Sequence, residues 1–216
     1  MTRDEFCKHH WSYYLVLEKD FLEIERYIEL DLGDNYLYNC APTDLGNSET
    51  FSNEFVKQLQ TICSEVEVVL KTICVEISGS TGIEKMPHYT SVVLQSWPDI
   101  KNQKVRMREN DLIPFQNWQA APNYSSPDWW PLYNGVKHNR IINSRKANLK
   151  NTINALAALF ILEQFLVRFI GQRDQEKDVP NDVSNLFEMV DYHTEDTVIG
   201  RDTYLMNHRD IESIIN

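Results

Sequence analysis

The chain of 216 residues is poor in the residues that break regular structure. It has seven glycines and eight prolines, too few for the many turns of an all-β fold. Four cysteines, Cys7, Cys40, Cys63 and Cys74, include no Cys-x-x-Cys pair, so neither a disulfide framework nor a zinc ribbon is written here. Cys63 and Cys74 fall on one predicted helix, too far apart to bridge, and read as small buried apolar residues. Positive charge is scarce: 21 Lys and Arg stand against 32 Asp and Glu, a net charge of −11. That excludes a general nucleic-acid coat and leaves only local contacts. No signal peptide, internal repeat, nucleophile elbow or metal-spaced Cys/His set is found, and no apolar run reaches membrane-spanning length. The expectation is a cytoplasmic protein without cofactor or metal. Glu188, Asp191 and His193 match no metal spacing, and the adjacent His9 and His10 are too weak a signal.

What is present is helical periodicity. The apolar share is 42%, with 11% aromatics. Tyr14, Leu17, Phe21, Ile24 and Ile28 predict a helix over 10–32. Glu18, Asp20, Glu23, Glu25 and Glu29 form its solvated face. Asp31 to Thr50 is a long connection that covers a pocket or an end of the bundle. Phe55, Leu59, Ile62, Val66, Val69, Ile73 and Ile77 predict a helix over 51–78, ended at Gly79. A short helix fits His88 to Trp97. Lys104 to Phe115 reads as a β-hairpin with its second strand at an edge, because Pro114 lacks a donor. Ala155 to Leu162 is apolar without a break, so the helix over 146–171 is buried, with Gly171 capping it. Ser184 to Val190 fits a helix turn and Thr203 to Ile215 a short terminal helix. The fold class is mainly α: an antiparallel four-helix-type bundle with a small β-hairpin insert. Residues 1–172 form the bundle with its insert at 83–125, and 173–216 a C-terminal extension of short elements.

The stretch from Trp129 to Asn148 carries the functional signal. Ser126, Pro127 and Asp128 form a helix start. At about 100° per residue, Trp129, Leu132 and Val136 share a core face, while Trp130, Asn134, His138, Ile141 and Arg145 share the opposite one. Tyr133, Lys137 and Arg140 lie between. A solvated back would not carry Trp130, Asn134 and His138, so that face meets a partner, a lid or a ligand. Gly135 weakens the helix and marks a close backbone approach. Lys137, Arg140, Arg145, Lys146 and Lys150 form the local basic cluster. Trp118, Tyr124, Trp129 and Trp130 pack around the helix entrance.

Tyr133-Asn134-Gly135-Val136-Lys137-His138 resembles the signature of HEPN-domain proteins. These are all-helical modules often found as ribonucleases in toxin–antitoxin and phage-defence systems. The family motif is Arg, a polar residue, three variable residues and His. Asn134 and His138 match it, and Tyr133 stands where the family has Arg. The resemblance implies a metal-independent ribonuclease or toxin, with a composite site across a homodimer and an antitoxin or defence protein as partner. In that reading His138 is base or acid, Asn134 orients it, and Arg140 or Arg145 supplies the charge that Tyr133 cannot. Tyr133, Lys137 and Trp130 are candidate binding residues. The alternative is a catalytically inactive dimeric module that binds a nucleotide, RNA or a protein partner.

Overall fold

The computed structural model describes residues 1–82 and 85–192, together with the backbone of 194–198 and 201–205. It is mainly helical, with a small three-stranded antiparallel sheet. The first helical run starts earlier than its apolar stripe predicts. Thr2 and Glu5 close a capping box, so α1 (Arg3–Phe6) leads through a π-helical turn into α2 (Ser12–Leu22). It ends with a 3-10 turn at Arg26, short of the expected Leu32. Leu30 and Leu32 are buried nonetheless, carried inward by the loop that follows.

That loop is folded upon itself. Asp34 accepts from Thr43 N, Thr43 Oγ1 and Asp44 N at 2.6–3.0 Å, which holds its carboxyl below the usual range. Gly33 and Gly46 have φ of +56° and +47°, and a Cβ on Gly33 would lie 2.4 Å from Asp44 O. Both positions therefore require glycine.

Helix α3 (Asn53–Ser78) is capped by Ser52, whose Oγ accepts from Phe55 N at 3.1 Å, and ends on Gly79 in the left-handed region. Its apolar stripe is buried from Phe55 to Ile73, with Cys63 and Cys74 among it. Helix α4 (Met86–Ser96) stops before Pro98. The hairpin follows as β1 (Lys104–Met107) and β2 (Asn110–Leu112), the second strand stopping short of Pro114. Helix α5 (Trp129–His138), the short α6 (Arg140–Asn143) and a 3-10 turn (Ser144–Lys146) lead into α7 (Leu149–Asp174).

Helix α7 is the core. Every residue from Leu149 to Gln164 is buried. By length and hydropathy it would pass for a membrane span, contrary to the sequence expectation, yet 83% of its most apolar window is buried within the chain. Its apolar surface is consumed by α2, α3 and α5, which pack on it. Gly171 does not end it. The helix continues to Asp174, and Gly171 faces the returning backbone, where a Cβ would sit 2.8 Å from Lys177 O and Asp178 Cα.

The segment after α7 is built in. Arg3 donates to Lys177 O and Val179 O, and Trp11 Nε1 to Asp182 O. No helix turn forms at Ser184 to Val190. Ser184 Oγ accepts from Leu186 N and Phe187 N, and Glu18 takes Asn185 N, so those donors go to side chains. Instead β3 (Glu188–Val190) pairs with the free edge of β1, giving the order β2-β1-β3. Val105, Met107, Leu112 and Met189 turn one face of this sheet to the core. Beyond it, β4 (Thr194–Val198) and β5 (Arg201–Leu205) form an antiparallel pair, where a helix from Thr203 was expected. Residues 206–216 and His193 lie outside the described residues.

Candidate functional site

Helix α5 is seated differently from its expected start. It begins at Trp129 without a side-chain cap, and Asp128 instead accepts from Asn117 Nδ2 at 2.7 Å. Trp129 is fully buried, its indole donating to Pro114 O at 3.0 Å; Trp118 is also buried and donates to Thr90 Oγ1 at 2.7 Å. Phe115 joins the two, stacked on Trp118 at 4.8 Å. Tyr124 is 40% exposed and stands apart from this buried group.

The buried face of α5 is Trp129, Tyr133 and Val136, with Leu132 only half-buried. The helix is thus rotated relative to the expected face, and Tyr133 goes into the core, 3% exposed. Burial pushes its phenol up, opposed by Lys137, whose Nζ lies 5.4 Å from the ring centre. The position of the family Arg is therefore a packing position here. Trp130 leans on Tyr133 at 5.1 Å and stays half-buried at the edge.

Helix α5 ends at His138. Asn139 has φ −148° and ψ 76°, and α6 starts a new direction. Asn143 Nδ2 donates to Gly135 O and to Asn139 O, both at 3.0 Å, folding α6 back onto the end of α5. The close approach at Gly135 is thus made by the side chains of Asn143 and Lys146, each 3.4 Å from a Cβ placed there, and not by backbone. Arg140 and Arg145 share no helix with His138. Arg145 lies over the Phe51 ring at 4.8 Å. The His138 side chain is exposed, and its imidazole makes no hydrogen bond to Asn134 or to any other described residue. Beside it, Ile141 and Ile142 are 91% and 76% exposed.

The basic cluster also divides. Lys150 is buried, its Nζ donating to Asn35 Oδ1 at 2.7 Å and Leu37 O at 3.0 Å above the Tyr38 ring. Burial lowers its pKa. It anchors the 31–50 loop over the start of α7, assisted by Tyr38 on Asn151 at 2.9 Å. The loop therefore covers an end of α7.

Trp130, Asn134 and Lys137 do come together. They line an open groove of about 590 Å³. The opposite wall comes from Glu67 on α3, Lys85 at the start of α4, and Tyr124 and Ser126 of the entrance loop. Lys85 and Lys137 form no ion pair with the described residues. With Tyr89, the groove thus offers three aromatic rings, two ammonium groups, an amide, three hydroxyls and one carboxylate. Glu67 and Lys85 carried no sequence signal, and Ser126 read only as part of a helix start; long-range packing brings the first two to α5.

Two buried carboxylates were also missed. Glu18, expected on a solvated face, is 1% exposed and accepts from Tyr14 OH at 2.7 Å, from Asn185 N at 2.7 Å and from Ser184. Glu163 is fully buried in α7, and both its carboxylate oxygens lack a partner. Burial, reinforced by the charge of Glu65, raises its pKa well above the ordinary carboxylate value. Among the described residues no three His, Cys, Asp or Glu side chains converge to hold a metal. Comparison with family models, with curated proteins and with solved structures gives no match to this chain.

Proposed function

We propose that the chain is a HEPN-like module, with α2, α3, α5 and α7 as its four-helix-type bundle, and that the α5 groove binds a nucleotide, free or within single-stranded RNA. One observation carries this reading: Trp130, Asn134 and Lys137 line one groove, whereas His138, Arg140 and Arg145 do not line it. An exposed aromatic edge suits a base, and two ammonium groups without an ion pair among the described residues suit phosphate. The groove also meets the start of α4, where the helix dipole is positive. Calorimetric titration with nucleoside monophosphates and short oligoribonucleotides tests it. Binding should weaken in Trp130→Ala and Lys137→Ala. Absence of binding to all of them would end this reading and leave the groove to a protein partner.

A second reading is favoured by the exposed Ile141 and Ile142 beside His138. A homodimer formed there would bring two His138 side chains together and supply the acid and base of a metal-independent ribonuclease. It predicts RNA cleavage by a dimer, lost in His138→Ala.

A further inference from the structure

The chemistry of the groove walls narrows the ligand further, on the basis that the groove is a nucleotide site. Glu67 is the one carboxylate among the residues lining it. Its side chain is 28% exposed, and its nearest cation is Lys71, one turn along α3, at 3.6 Å. That is too long for a hydrogen bond, and Glu67 accepts none from the described residues. An ionised carboxylate has acceptor sites only, and this one lines the groove. Lys85 and Lys137 line the same groove without forming an ion pair to Glu67. Glu67 is thus the one anionic, acceptor-only side chain among the residues that line the groove.

The nucleobases differ in what they can offer such a group. Guanine presents two adjacent donors, N1–H and N2–H, which match the two oxygens of a carboxylate. Its O6 beside them is an acceptor that the Asn134 amide can meet. Adenine and cytosine each place a ring acceptor next to a single amino donor, so the carboxylate meets a repelling lone pair. Uracil offers one N–H flanked by two acceptors. Unstacked bases are read on this edge, with an aromatic ring against the base face. Trp130 and Tyr124 supply such rings in the groove.

We infer that the groove selects guanine, with Glu67 reading the guanine N1–H and N2–H edge, and Lys85 and Lys137 holding the phosphate. The whole chain and its Glu67→Gln variant should be titrated with GMP, AMP, CMP and UMP by calorimetry, with circular dichroism confirming that both are folded. GMP should bind at least about tenfold more tightly than the others, the discrimination expected of one bidentate contact to a base edge. In Glu67→Gln that preference should collapse while the AMP affinity stays within about twofold. Equal binding of the four nucleotides would overturn guanine selection and leave the groove as a nucleotide site. A guanine preference that survives in Glu67→Gln would overturn the role of Glu67. No binding of any nucleotide would overturn both this inference and the function on which it rests.

Discussion

Asn143 Nδ2 lies 3.0 Å from the carbonyl oxygen of Gly135. This bond, with its companion to Asn139 O, adds a side-chain donor to carbonyls that already accept from the backbone N–H groups of Asn139 and Asn143. It separates His138 from Arg140 and Arg145. Asn143→Ala should lower stability by about 1 kcal/mol and loosen α6, read as a lower melting temperature and faster amide exchange at residues 139–146. Gly135→Ala should be neutral or stabilising by up to about 1 kcal/mol, because the added methyl makes ordinary contact and gains helix propensity. A melting point that falls sharply in Gly135→Ala would contradict this.

Tyr133→Arg restores the family motif but buries a guanidinium where a phenol now packs. The expected result is a loss of about 3 kcal/mol or more, with no gain of RNA cleavage. Denaturant titration and a cleavage assay check it. A stable and newly active variant would show that Tyr133 only blocks a working site.

Glu163 makes stability depend on pH. Its folded pKa is raised, so the native state keeps a proton that the unfolded chain releases near pH 4.3. Its contribution is complete below that pH and is lost as pH rises toward the folded pKa. Glu163→Met removes the liability and should stabilise by about 1–3 kcal/mol at pH 7. The gain should widen as pH rises from the unfolded value toward the folded pKa. Thermal melts across that range decide it; a gain independent of pH would contradict the assignment.

Lys150→Met leaves Asn35 Oδ1 and Leu37 O without their donor. The expected cost is about 1–3 kcal/mol, concentrated in the loop over 31–50. Limited proteolysis should cut that loop first, while α3 and α7 stay protected. Uniform loss of protection would mean that the loop and core unfold together.

Substitution should also separate the groove from the motif histidine. His138→Ala should keep nucleotide affinity within about twofold, whereas Lys137→Ala should weaken it about tenfold. The reverse order would move binding to the α6 side of the helix.

The helices were legible because their signals are local. Apolar spacing along Phe55 to Ile73, the unbroken run from Ala155 to Leu162 and the turn at Gly79 each act within a few residues. The hairpin over Lys104 to Leu112 was legible for the same reason. The match of Asn134 and His138 to a known pattern was visible too, as were Trp130, Asn134 and Lys137 as binding candidates. What these positions do depends on neighbours far away in the chain. A rotation of α5 by part of a turn put Tyr133 in the core. Asn143 ended the shared face that would have joined Arg145 to His138. A register of β1 with Met189 drew the C-terminal segment into the sheet. Glu67, Lys85 and Tyr124 became groove walls only because α3, α4 and the entrance loop close on α5. Sequence alone determined the two long helices, α3 and α7, and their apolar character, since both follow from periodicity. The tertiary structure decided which polar groups are buried, which cations line the groove and which side chains meet, because hydrogen bonds and packing between distant segments set those outcomes.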